Sequence, residues 1–196
     1  MNLRELSHII NGIRQHYPVS DLSIRELAEH LEPHALPKHH HLYQPGSPDD
    51  HVYFIEKGCA RTYLLVDGKE ITSWFSQEGD LVFSSLSLYH RSPGFEHIQL
   101  LEDALVYALP VKALNALYTT HIDIANWSRM VHQEALLKMQ QLRLDRLSLS
   151  AEQRYAQFVE ENPALVHRVN LGYIASYLGM TQQHLSVLRS NRTILR

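Results

Sequence analysis

Glycine and proline are spread unevenly along this chain, and their spacing limits the folds open to it. Gly46, Pro48, Gly58, Gly68, Gly79, Pro93 and Gly94 crowd the interval between Pro45 and Pro110, whereas residues 111–162 contain neither type. A sheet of short strands needs a turn roughly every 8 to 12 positions. So long a stretch without a breaker suits helices instead. The expected class is α+β: an N-terminal β jelly roll with flanking helices, then a helical C-terminal part.

Within the crowded interval, Val52–Ile55, Ala60–Val66, Ile71–Phe75 and Leu81–Phe83 read as strands, and His97–Leu109 as one or two more. Asp67-Gly68 accepts positive φ and marks a hairpin, and Glu78-Gly79-Asp80 supplies a second turn. Such a barrel either holds a small ligand or fills its interior with its own side chains. Ahead of it, Leu3, Leu6, Ile10 and Ile13 fall at helical spacing. Ser23-Ile-Arg-Glu26 has the spacing of a capping box before Leu27 and Leu31, so two short helices are expected. Beyond Pro110, Met130, Leu137 and Leu144 recur every seven residues, and Trp127, Val131, Leu136 and Leu147 widen that face. A helix of about 20 to 25 residues follows, whose apolar face either packs on the barrel or, as the better reading because so small a barrel covers little of it, forms a seam that pairs with a second copy. Ser150-Ala-Glu-Gln153 caps a further helix to about Glu161, where Asn162-Pro163 stops it.

The remaining composition mainly excludes. At 44% hydrophobic and 20% charged residues the chain can bury a core. No apolar run approaches the roughly 20 residues of a membrane span, and Met1–Leu6 lacks a signal-peptide core, so a cytoplasmic protein with no membrane partner is expected. A lone cysteine, Cys59, rules out an intramolecular disulfide, a cysteine-built zinc site and a cysteine-ligated iron–sulfur cluster. With no Ser/His/Asp set, phosphate loop or paired-carboxylate signature, neither an enzyme nor a cofactor is expected. Residues 1–118 hold nine Lys and Arg against fifteen Asp and Glu, and residues 119–196 nine against six. A mildly basic C-terminal part suits a polyanion.

The most specific stretch runs from Asn170 to Arg192. Asn170 can cap a helix carrying Ile174 and Leu178, Gly179 supplies a positive-φ turn, and Thr181 can cap a second helix carrying Leu185 and Leu188. Small Ala175 lets the two approach, with Met180 completing the shared core. This is the pattern of a helix-turn-helix, whose second helix enters the major groove of double-stranded DNA. Gln182, Gln183 and Ser186 then reach base edges, glutamine pairing with adenine. Thr181, His184, Arg189 and Arg192 are placed for phosphates.

Taken together, Val52-Tyr-Phe-Ile-Glu-Lys-Gly58 with Ala60-Arg61, Asp67–Phe75, Gly79-Asp80, Leu149–Tyr155 and Tyr173–Thr181 resemble the CRP/FNR family of bacterial transcription regulators, in a short branch without a C-terminal β-wing. The resemblance implies a cyclic-nucleotide-binding-like sensor domain over 1–118, a dimerisation helix over 119–147 and a DNA-binding domain over 148–196. It also implies a homodimer, with RNA polymerase as a further partner. Two departures stand out. Phe83-Ser84 and Phe95-Glu96 match the family's phosphate-binding Gly-Glu and Arg-Ser or Arg-Thr pairs, so no guanidinium meets a cyclic phosphate and Glu96 repels it. Val187 stands where a DNA-contacting arginine is common. Control by cyclic AMP is therefore not expected. Any effector, of unknown identity, would meet Tyr63, Trp74, Phe83, Ser84, Tyr89, Glu96 and His97.

A rival reading starts from the 14 histidines and His39-His40-His41. On one strand His39 and His41 would share a face, resembling the His-x-His of metal-binding cupins, which are also jelly rolls. Gln44 stands where such a site needs a carboxylate, and the C-terminal motif is left unexplained, so no metal site is expected. A third reading is a sensor that binds partners without DNA.

Overall fold

The computed structural model describes residues 3–46 and 48–194, with side chains as far as Ser190. Two compact units emerge, Met1–Tyr63 with Phe75–Glu134 and Leu64–Trp74 with Ala135–Arg196.

The first unit opens on helices α1 (Ser7–His16) and α2 (Asp21–Glu29). Neither start is capped as the local sequence suggests. Leu6 precedes α1 and offers no side-chain oxygen; instead Glu56 reaches across from the barrel to accept from the His8 and Ile9 amides at 3.2 and 3.1 Å. In α2 the cap is Ser20, whose Oγ accepts from Ser23 N at 3.2 Å, so the box expected at Ser23–Glu26 does not form. Ser23 lies within the helix and its Oγ donates to Asp123 at 2.7 Å; Asp123 also accepts from Ser20 N at 2.9 Å. A remote carboxylate thus reinforces a local cap that lies three residues earlier than expected.

Eight strands follow: β1 (Glu32–Leu36), β2 (His41–Tyr43), β3 (His51–Lys57), β4 (Ala60–Val66), β5 (Lys69–Ser76), β6 (Leu81–Val82), β7 (Glu96–Leu100) and β8 (Ala104–Pro110), with a short helix α3 (Ser85–His90) between β6 and β7. They form two four-stranded sheets, ordered β1-β8-β3-β6 and β2-β7-β4-β5. Asp67 and Gly68 at φ 50° and 74° make the two-residue β4–β5 turn that the sequence predicts. β1 is a strand the residue pattern hid: it contains Pro33, tolerable because β1 pairs on one side only.

Strand alternation sends side chains to two cores. Leu42, Ile55, Ala60, Val82, Ile98, Leu100 and Val106, drawn from both sheets, make one contiguous cluster. Val52, Phe54, Tyr107 and Leu109 point the other way, into a second cluster with α1, α2, α4 (Val111–Thr120) and the start of α5 (Ile122–Ser148). There Trp127, 2% exposed, stacks on Phe54 with ring centroids 5.8 Å apart. At 27 residues α5 is slightly longer than expected, and its halves differ. Ile124, Trp127 and Val131 join the barrel-side core, so Trp127 and Val131 do not widen an exposed seam; Leu136, Leu137, Met139, Leu144 and Leu147 are exposed.

The second unit comprises the tip of the β4–β5 hairpin, the rest of α5, α6 (Ala151–Glu161), α7 (Leu165–Arg168), α8 (Leu171–Tyr177) and α9 (Gln182–Ile194). Ser150 and Gln153 form the reciprocal capping box of α6, and Asn162 ends it. No helix among the described residues is long and apolar enough to cross a membrane.

Candidate nucleic-acid interface and effector pocket

α8 and α9 are joined by a turn whose bonding is local. Asn170 Oδ1 accepts from Gly172 N at 2.8 Å to start α8. At its end Gly179 N donates to Ser176 O at 3.1 Å and Met180 N to Ala175 O at 3.0 Å, a Schellman turn around Gly179 at φ 68°. Thr181 Oγ1 then accepts from His184 N at 3.2 Å, capping α9. Ile174, Ala175, Leu178 and Leu185 are buried, with Met180 and Leu188 half-buried beside them.

Burial of Leu185 fixes which face of α9 looks outward. Thr181, Gln182, Gln183, His184, Ser186 and Arg189 are all exposed, and so is Val187. The Arg192 side chain lies outside the described residues. Two arginines that the sequence did not single out grip the turn from behind. Arg146 of α5 donates to Tyr177 O at 2.7 Å, and Arg154 of α6 to Leu178 O at 3.0 Å and Leu149 O at 2.6 Å. Cations at the C-terminal end of α8 meet its last carbonyls and the negative end of its dipole. Tyr177 packs on Phe158 at 5.7 Å, and burial together with the Glu161 carboxylate pushes its hydroxyl pKa up to about 12. The pocket beneath, about 20 Å³ and lined by Asp145, Arg146, Arg154 and Tyr177, has room for little more than one water.

The seven barrel residues expected around an effector do not line one cavity. Ile98 and Leu100 face the inter-sheet core with Ala60, so Arg61, Tyr63, His97 and Gln99 face the opposite side of their sheet. There Tyr63 stacks on His97 at 4.8 Å and hydrogen-bonds His41 Nε2 at 3.2 Å. Arg61 lies over the Tyr63 ring at 4.1 Å and donates to Gln99 Oε1. Phe83 and Tyr89 form a separate aromatic cluster with His132 of α5, at 5.3 and 5.6 Å. Trp74 belongs to the other unit. Ser84 and Glu96 do come together: Ser84, 2% exposed, caps α3, and Glu96, 7% exposed, accepts from Ser85 N and Phe95 N at 3.0 Å each. Gly94 is needed for this approach, since a Cβ there would stand 2.5 Å from Ser84 Oγ and 2.7 Å from Glu96 Oε2. Residue types pointed to these positions; only the parity of each strand shows which share a surface.

His132 is the titratable group that sequence reading missed. Its Nδ1 donates to Ser128 O at 2.7 Å, and among the described residues its buried Nε2 meets no partner. Burial lowers its pKa against the opposing effect of the Ser128 bond. The histidine run does not form the strand that the rival metal reading requires. His39 sits in a turn at φ 71°, and the strand begins at His41, so the two share no strand face. Among the described residues no group of three His, Cys, Asp or Glu side chains is arranged to hold a metal ion.

Residues 33–121 match the family model of the cyclic nucleotide-binding domain. The c-di-GMP-responsive global regulator CLP of Xanthomonas campestris superposes with a TM-score of 0.71 over 89% of this chain and 92% of its own, at 13% identity. A transcriptional regulator of Eubacterium rectale assigned to the CRP/FNR family gives 0.67 over 90% and 84%, at 16% identity. The fold is that of the CRP/FNR regulators. Among curated sequences, patatin-like phospholipase domain-containing protein 6 of Mus musculus is 28% identical over 146 residues, 69% of this chain. The chain spans about a tenth of that relative's length. Both of these solved structures are described as regulators.

Proposed function

We propose that the chain is a sequence-specific, DNA-binding transcription regulator of the CRP/FNR type, acting as a homodimer and independently of cyclic nucleotides. The observation that carries this reading is the outward face of α9: Gln182, Gln183 and Ser186, exposed at the start of a capped helix that Leu185 anchors. Those polar groups match base edges, and Thr181, His184, Arg189 and Arg192 flank them for phosphates. Residues 1–118 act as the barrel domain, 119–147 as the dimerisation helix and 148–196 as the helix-turn-helix domain, with RNA polymerase as the partner of the DNA-bound dimer. The exposed Leu137 and Leu144, one heptad apart on α5, support pairing with a second copy.

Glu96 supports independence from cyclic nucleotides. Its carboxylate is already bonded to the Ser85 and Phe95 amides, so an entering phosphate would meet a buried like charge. The turn at His39 counts against the cupin reading, and the α9 surface against a sensor that ignores DNA. The test is selection from randomised duplexes with the full chain, followed by titration across a salt series. A two-fold-related consensus and affinity falling steeply with salt are expected; enrichment of no motif sinks the proposal.

A further inference from the structure

The second unit includes a piece of the barrel's own sheet, the hairpin tip from Leu64 to Trp74. Among the described residues β5 is the last strand of that sheet, so main-chain groups of alternate residues turn to its outer edge. Glu70 and Thr72, two apart, turn their main chains to the same edge. One α8 side chain meets both: Ser176 Oγ accepts from Thr72 N at 3.0 Å and donates to Glu70 O at 3.1 Å. A hydroxyl can do this because a single oxygen both donates and accepts. Thr72 is fully buried, so its N–H depends on Ser176 more than the exposed Glu70 carbonyl does.

We propose that Ser176 is a positioning residue for DNA reading: it clips edge strand β5 to α8, making the hairpin tip part of the reading head. The proposal rests on the DNA-reading function argued above. α8 is then held at its middle by Ser176 and at its end by Arg146 and Arg154, and the Schellman turn passes its orientation on to α9. Base-edge hydrogen bonds fail with small changes in distance and angle, whereas phosphate contacts from long flexible side chains tolerate them. Loss of the clip is therefore felt first as lost discrimination between sequences, and only weakly as lost affinity for DNA in general.

The test compares the full chain with S176A and S176T at a temperature where all three are folded. Amide exchange reads the clip without DNA: Thr72 N–H is expected to exchange about tenfold faster in S176A and at the parent rate in S176T, which keeps the hydroxyl. Unchanged Thr72 exchange in S176A overturns the clip. Titrations then use the duplex that the wild-type chain enriches from a random pool, and a scrambled duplex. S176A is expected to lose about fivefold or more in the ratio of the two affinities, with scrambled-duplex binding within about twofold of wild type, and S176T to recover the ratio. Equal losses on both duplexes, or none, overturn the positioning role while the exchange result stands. A wild-type chain that enriches no sequence overturns DNA reading and the positioning role together, leaving Thr72 exchange to judge the clip.

Discussion

The proposed independence from cyclic nucleotides rests on position 96. A buried carboxylate is stable only if hydrogen bonds replace its water, and Glu96 has two main-chain amides doing so. Bringing a phosphate beside it adds repulsion to a desolvation cost of several kcal/mol. Calorimetric titration with cyclic AMP or cyclic GMP should therefore show no binding heat, and micromolar binding would show that the phosphate site lies elsewhere in the barrel. On α9 the expected outcomes divide by role. Gln182→Ala or Gln183→Ala should relax base preference at one position and cost about 1 to 3 kcal/mol on the cognate site. Arg192→Ala should weaken cognate and scrambled duplexes alike. Equal losses on both duplexes for all three variants would refute that division.

Helix ends explain which elements could be read in advance. The α6 box at Ser150, the Gly179 turn and the Thr181 cap are built from residues within a few positions of one another, so their spacing is a sufficient signal. The start of α1 depends on Glu56, 47 residues from Ile9, which no local pattern carries, and at α2 the remote Asp123 adds its bonds to the local Ser20 cap. Strand parity was hidden for the same reason, and so Tyr63 and His97 could not be separated from Ser84 and Glu96 beforehand. These remote contacts predict the response to acid. For Asp123, burial works against ionisation, but the bonds from Ser20, Ser23 and Ile124 outweigh it and hold the carboxyl below its ordinary 3.8. A depressed acid stabilises fully above its unfolded value and loses that contribution as pH falls through its folded value. His132 is likewise held below its ordinary 6.5, chiefly by burial, so its neutral form stabilises above that pH and the contribution is lost on acidification. Melting temperature should fall from about pH 6.5 downward, and again below about pH 4. His132→Phe, which keeps an aromatic ring against Phe83 and Tyr89, should flatten the upper step; a step unchanged in that variant would assign it to another group.

At the scale of the whole molecule, α5 does two jobs along its length. Its first half is spent on the barrel through Ile124, Trp127 and Val131, whereas its second half leaves Leu136, Leu137, Met139, Leu144 and Leu147 between 56% and 77% exposed. Fully burying one such side chain is worth about 1.5 to 3 kcal/mol. Two copies contribute the set twice, which brings the gain into the range of an association cost of roughly 4 to 15 kcal/mol. Pairing also suits the proposed reading of DNA. One short recognition helix contacts few bases, and two on a common axis reach half-sites about 34 Å apart. A charge placed in the seam tests both consequences at once, because a carboxylate buried against apolar residues of the second copy has no partner. Sedimentation should show the wild-type chain as a dimer at tens of micromolar and Leu144→Glu as a folded monomer, with the far-UV spectrum unchanged. The monomer should lose affinity for the two-fold site while keeping the weak, salt-sensitive binding of a single head. A wild-type chain that sediments as a monomer, or a Leu144→Glu chain that still dimerises, would remove α5 as the dimer seam.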